Sequence, residues 1–211
     1  MFVPIEEKLK KIIPNVDQHD EFEYYKQILP KMIANGHAAH QTIPGYKDCK
    51  PEIEAFRWFD NINIPVHGYC DLKGKVIIED KCKFPKRGRV KKDGTRSWLT
   101  NKLPEEKPDS FHLLQIDFYY SVFKLPVYIC YINEESYKVF SADNCDDLKP
   151  ENIEKRIPKI IQRCKIRQNL MKLSTDFNVV KDYIQPQFDH YFWRNEMEED
   201  YLTDAMKFWD S

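Results

Sequence analysis

The chain has 211 residues, 42% of them hydrophobic, and a formal net charge of −1. That is enough for one sizeable core, so a single domain over residues 1–211 is expected, and the near-neutral balance excludes any global electrostatic argument for a nucleic-acid partner. No apolar run has transmembrane length, the N-terminus lacks a secretory h-region, and the six cysteines are scattered, as reduced thiols in a cytoplasmic-type compartment would be.

Asp20 reads as the cap of a helix from Glu21 to about Ala34, with Tyr24, Ile28 and Met32 spaced as a core-facing stripe. Gly36 is expected to end that helix or open the next. Pro51 at a first turn, followed by Glu52-Ile53-Glu54-Ala55-Phe56, predicts a helix to Ile62 that packs Ile53, Phe56 and Phe59 on a sheet.

Residues 66–83 read as a hairpin about Lys73-Gly74-Lys75. Val76-Ile77-Ile78 suits a central buried strand, yet Glu79-Asp80-Lys81 follows at once, and buried charges need partners. An odd-length turn pairs Leu72 with Val76 and Asp71 with Ile77, which sets Asp71, Glu79 and Lys81 on one face; a two-residue turn puts Asp71 on the other. Two carboxylates beside one lysine suit a Mg²⁺ or Mn²⁺ site with room for water and phosphate.

The chain then turns basic through Lys83, Lys86, Arg87, Arg89, Lys91, Lys92 and Arg96, and Pro85, Gly88 and Gly94 predict a loop. Beside a cation site such a loop suits a DNA backbone, and Trp98 offers a stacking face for a base; a merely solvated loop is the alternative. Pro108-Asp109-Ser110 opens a helix from Phe111 to about Phe123, with Leu114, Phe118 and Val122 as its apolar stripe and Gln115 and Tyr119 one turn apart. Strands are expected at 126–132 and 137–141. A long helix over 150–173 buries Ile157, Ile160, Ile161 and Cys164 and sets basic residues, Arg156 among them, on its other face. An acidic helix over 197–209 follows, and the whole suits an α/β fold with a mixed sheet flanked by helices.

Asp71 followed by Glu79-Asp80-Lys81 resembles the Asp…(Asp/Glu)-x-Lys core of the PD-(D/E)xK nucleases. Gly36 with His40, and Gln115 with Tyr119, are similar to the Gly-x-x-x-His and Gln-x-x-x-Tyr elements of the RecB-like exonuclease branch, in the same order along the chain. Cys70 stands where the family often has proline, and Pro44 where the branch often has an acid. The resemblance covers residues 36–120 and looks like a phage-type or mitochondrial genome maintenance-type exonuclease.

This resemblance implies a restriction-endonuclease-like core over about 36–141, a helical part over 150–211, and Mg²⁺-dependent hydrolysis of DNA from strand ends in recombination, repair or degradation. His40, Asp71, Glu79 and the Asp80 backbone carbonyl would hold Mg²⁺ or Mn²⁺, Lys81 would activate water, and Gln115 would position Lys81 or the phosphate. Tyr119 would contact substrate, and Glu54 would help hold the site or be a solvated helix residue. The implied partner is single-stranded DNA or DNA with free ends, with no membrane, in the cytoplasm (the host cell's, for a viral protein). No iron–sulfur cluster is expected, because the cysteines are not clustered and Cys164 is the last. A structure- or site-specific endonuclease uses the same chemistry, and a non-catalytic DNA-binding module is the remaining alternative.

Overall fold

The computed structural model describes residues 19–90, 92, 96–174, 176, 179 and 199–210. Helix α1 (His19–Gln41) leads into β1 (Lys50–Arg57), β2 (Val66–Lys73) and β3 (Ile77–Cys82), then β4 (Lys86–Val90) and β5 (Arg96–Leu99). Helix α2 (Ser110–Phe123), β6 (Val127–Ile132), β7 (Tyr137–Phe140), α3 (Pro150–Leu173) and α4 (Glu199–Asp210) follow. The fold is mixed α/β. Five strands form one sheet in the order β1-β2-β3-β6-β7, and β4 and β5 form a separate two-stranded ribbon. Only β3 and β6 are parallel; α2 lies on the connection between them, as parallel neighbours require.

Alternation along β3 assigns its neighbours. Ile78 joins Ile28, Met32, Ala39, Ile43, Cys130 and Ile132 in the core under α1. Glu79 and Lys81 point to the opposite face, toward α2, which buries Leu113, Ile116, Phe118 and Tyr119. Ile77 and Ile78 are both fully buried, as a strand covered on two faces must be, and each such side chain contributes about 2 kcal/mol.

Three expectations change. Residues 51–57 lie in strand β1, not in a helix: six of them pair with β2, and Ile53, Ala55 and Arg57 turn inward while Glu54 and Phe56 are exposed. Pro51 is tolerated because β1 is an edge strand. Gly36 neither ends nor opens a helix; α1 continues through it to Gln41. Tertiary contacts of its neighbours override its weak propensity: Ile28, Met32 and Ala39 of the same helix are buried in the core, and Asn35 Nδ2 donates to the Asn133 carbonyl at 3.0 Å. The basic stretch is the ribbon β4–β5 rather than a loop. Gly88 permits it, because a Cβ there would fall 2.2 Å from Ser97 Oγ and 2.9 Å from the Ser97 carbonyl oxygen.

The described residues up to Trp58, with Pro65–Ile160, form one compact unit. Phe59–Ile64 and the described residues from Ile161 form a second, in which Asn63 N–H donates to Gln168 Oε1 at 2.6 Å and Gln168 Nε2 to the Asn61 carbonyl at 3.2 Å. Among the described residues no helix is long and apolar enough to cross a membrane.

Candidate functional site

The β2–β3 ladder holds only two residue pairs, Leu72 with Ile78 and Lys73 with Ile77. The loop is therefore three residues, as the shared face of Asp71 and Glu79 requires, but it is Gly74-Lys75-Val76; the pairing lies two residues further along β3 than expected and parity is kept. At the next pair the strands part and carboxylates replace the ladder. Asp80 N–H donates to Asp71 Oδ2 at 2.7 Å, and Asp71 N–H approaches Glu79 Oε2 at 3.5 Å.

From there a chain of hydrogen bonds runs to α2. Lys81 Nζ donates to Glu79 Oε1 at 2.7 Å and to Gln115 Oε1 at 2.8 Å. Gln115 Nε2 donates to Tyr119 Oη at 2.9 Å, and Tyr119 Oη donates to the Tyr69 carbonyl. Asp71, Glu79, Lys81, Gln115 and Tyr119 are thus one connected group. Tyr119, which the resemblance sets at the substrate, is only 2% exposed, and its hydroxyl accepts from the Gln115 amide and donates to the Tyr69 carbonyl.

Burial pushes the Glu79 carboxyl up to about 7; the Lys81 ammonium opposes this and the Asp71 charge adds to it. Burial likewise raises Asp71, against the Asp80 N–H bond and with the charges of Asp80 and Glu52. Buried Glu79 and half-buried Asp71 therefore sit beside a single lysine, which bonds Glu79, and hold their charges at a cost. Oxygen donors with surplus negative charge fit a hard divalent cation, which relieves that repulsion.

The side chain of Asp80 leaves the other face of β3. His40, in the last turn of α1, brings Nε2 to 2.9 and 3.0 Å from its two oxygens. Cys130 is its direct neighbour on β6. His40 therefore meets the Asp71–Glu79 group through Asp80, whose carboxylate it holds and whose N–H holds Asp71.

Glu54 is not on a helix near the site. It is exposed on β1 and bonds His67 Nε2 at 2.9 Å. Sequence reasoning missed Glu52, which lies across from Asp71 between the pairs Pro51–Leu72 and Ile53–Cys70, with a left-handed φ of 51°. Its signal was one acid two positions from the one considered. Arg156, expected on the basic face of α3, forms a two-pronged ion pair with fully buried Asp117, at 2.7 and 2.9 Å.

Of the basic residues, Lys86, Arg89 and Lys92 are exposed. Lys83 is bound to Asp109 at 2.6 Å and lies over the Tyr131 ring, so it is not a free cation. Lys91 lies outside the described residues, as do the side chains of Arg87 and Arg96. Trp98 has one face covered by Tyr24, with ring centroids 4.2 Å apart and planes within 4°, so it offers a base at most its other face.

No protein-family model matches the chain. No curated protein matches it by sequence. Among solved structures it is similar to the crystal structure of SSO0001, with 15% identity over 78% of this chain and 70% of that one. The TM-score is 0.37, a likeness too low to carry an argument about activity.

Proposed function

We propose that the protein is a metal-dependent DNA nuclease of the PD-(D/E)xK superfamily, RecB-like branch, acting from strand ends. The observation that carries this reading is the convergence of Asp71, Glu79, Lys81 and Gln115 in one hydrogen-bonded group where β2 and β3 part. The five-stranded mixed sheet with helices on both faces suits a restriction-endonuclease-like core.

Asp71, Glu79 and the Asp80 backbone carbonyl would hold Mg²⁺ or Mn²⁺. The bound ion supplies Lewis-acid activation of water and neutralises charge at the phosphorus. His40 fixes the Asp80 carboxylate and thereby the N–H on Asp71. Lys81 lies beside the carboxylates and donates protons in hydrogen bonds, so it orients the attacking water and stabilises charge developing on the phosphate. Gln115 holds Lys81 in that position, and Tyr119 holds Gln115. Lys86 and Arg89 on the ribbon supply backbone phosphate contacts.

The test is incubation with end-labelled linear single- and double-stranded DNA and with closed circles, in Mg²⁺, Mn²⁺ or EDTA. Metal-dependent loss of linear DNA alone supports the exonuclease. Cutting of closed circles supports an endonuclease using the same residues. Binding without metal-dependent cleavage refutes the catalytic reading.

A further inference from the structure

His40, Asp80 and Cys130 bring one imidazole nitrogen, one carboxylate oxygen and one sulfur within 4.8 Å of one another. No other group of three His, Cys, Asp or Glu side chains is so gathered among the described residues. The three come from α1, β3 and β6, so the tertiary fold builds the cluster. Cys130 is fully buried, whereas the side chains of His40 and Asp80 are 12% and 26% exposed. His40 and Asp80 line a cavity of about 260 Å³ whose walls include Leu29, Met32, Ile33 and Phe84. An ion can therefore reach the cluster from that side.

We propose that His40, Asp80 and Cys130 form a site for a borderline-soft divalent ion, Zn²⁺, separate from the oxygen-donor site at Asp71 and Glu79. Thiolate and imidazole favour such ions, while Mg²⁺ takes oxygen. Zn²⁺ bond lengths set tetrahedral ligand atoms about 3.3 to 3.7 Å apart. The cluster therefore closes by about 1 Å at its widest, which side-chain rotation supplies. Cys130 releases its thiol proton to buffer as the Zn–S bond forms, and water takes the fourth position on the cavity side. The two sites share β3: Asp80 would bind Zn²⁺ through its carboxylate while its N–H holds Asp71. Zn²⁺ loading thus bears directly on the carboxylate that the nuclease reading assigns to Mg²⁺.

The full chain, stripped of metal, is titrated with Co²⁺ as a spectroscopic stand-in for Zn²⁺. One equivalent should raise a thiolate-to-cobalt charge-transfer band, and Zn²⁺ should abolish it by displacement. Cys130→Ser should remove the band, His40→Gln should weaken binding at least tenfold, and Glu79→Gln should leave it within twofold. No band in the unmodified protein overturns the proposal, as does a band lost in Glu79→Gln or Cys82→Ser but kept in Cys130→Ser. Cys130 is a core residue; should its serine variant not fold, undiminished binding by His40→Gln is the overturning result. The readout needs no DNA cleavage, so it stands or falls apart from the nuclease reading.

Discussion

Lys81 Nζ is held between Glu79 Oε1 on its own strand and Gln115 Oε1 on α2, at 2.7 and 2.8 Å. Glu79 is 2% exposed and the Lys81 side chain 16%, so both are largely withdrawn from solvent, and Lys81 keeps one N–H beyond these two bonds. A lysine with one partner swings about its flexible stem; a second partner on another element fixes the direction of its charge.

Gln115→Ala removes that second partner. Metal-dependent cleavage should fall about 10- to 100-fold, with fold and DNA affinity retained. Single-turnover rates beside a binding isotherm check this. An unchanged rate would mean that Lys81 does not need α2 to aim it.

Stability should depend on pH through Glu79. Burial raises its carboxyl to about 7 in the folded chain, from an ordinary value near 4.5. Between those values the folded chain holds more protons than the unfolded one, so raising the pH through this window destabilises the metal-free protein, by about 3 kcal/mol when complete. In EDTA, melting temperature should therefore fall from about pH 5 to about pH 8. Mn²⁺ should restore it at the upper end, and Glu79→Gln should flatten the slope. The same slope in Glu79→Gln would assign the effect elsewhere.

The Arg156–Asp117 pair should matter to folding rather than to chemistry. Arg156→Ala leaves a buried carboxylate alone and should cost about 3 to 5 kcal/mol in chemical denaturation, while Arg156→Met with Asp117→Leu recovers most of it. Destabilisation by the double variant as large as by the single one would contradict this.

Much of the site follows from strand periodicity. Side chains alternate along an unbulged strand, so an odd turn sets Asp71, Glu79 and Lys81 on one face wherever the pairing begins. Helical spacing likewise joins Gln115 to Tyr119. What stayed hidden depends on tertiary contact. Ile53 and Phe56 fit a helix face as well as Ile53 and Ala55 fit a strand face, and only the pairing with β2 decides. The His40–Asp80 bond requires α1 to pass through Gly36, against propensity. Arg156 and Asp117 lie 39 residues apart with no local pattern to link them.

The ribbon makes a separate claim about DNA. Lys86 and Arg89 are exposed on β4. If each contacts a phosphate, Lys86→Ala with Arg89→Ala should weaken binding to all sequences alike. It should also reduce the slope of log affinity against log salt by about 1.4 for single strands. An unchanged slope would take the ribbon out of the interface.

The most direct test compares the unmodified protein with Lys81→Ala on end-labelled linear DNA in Mn²⁺ and in EDTA, with binding measured alongside. Metal-dependent release of nucleotides by the unmodified chain is expected, with a loss of at least 100-fold in Lys81→Ala and affinity retained. Equal cleavage by both proteins, or none by the unmodified protein that binds, would contradict a nuclease centre at Asp71, Glu79 and Lys81.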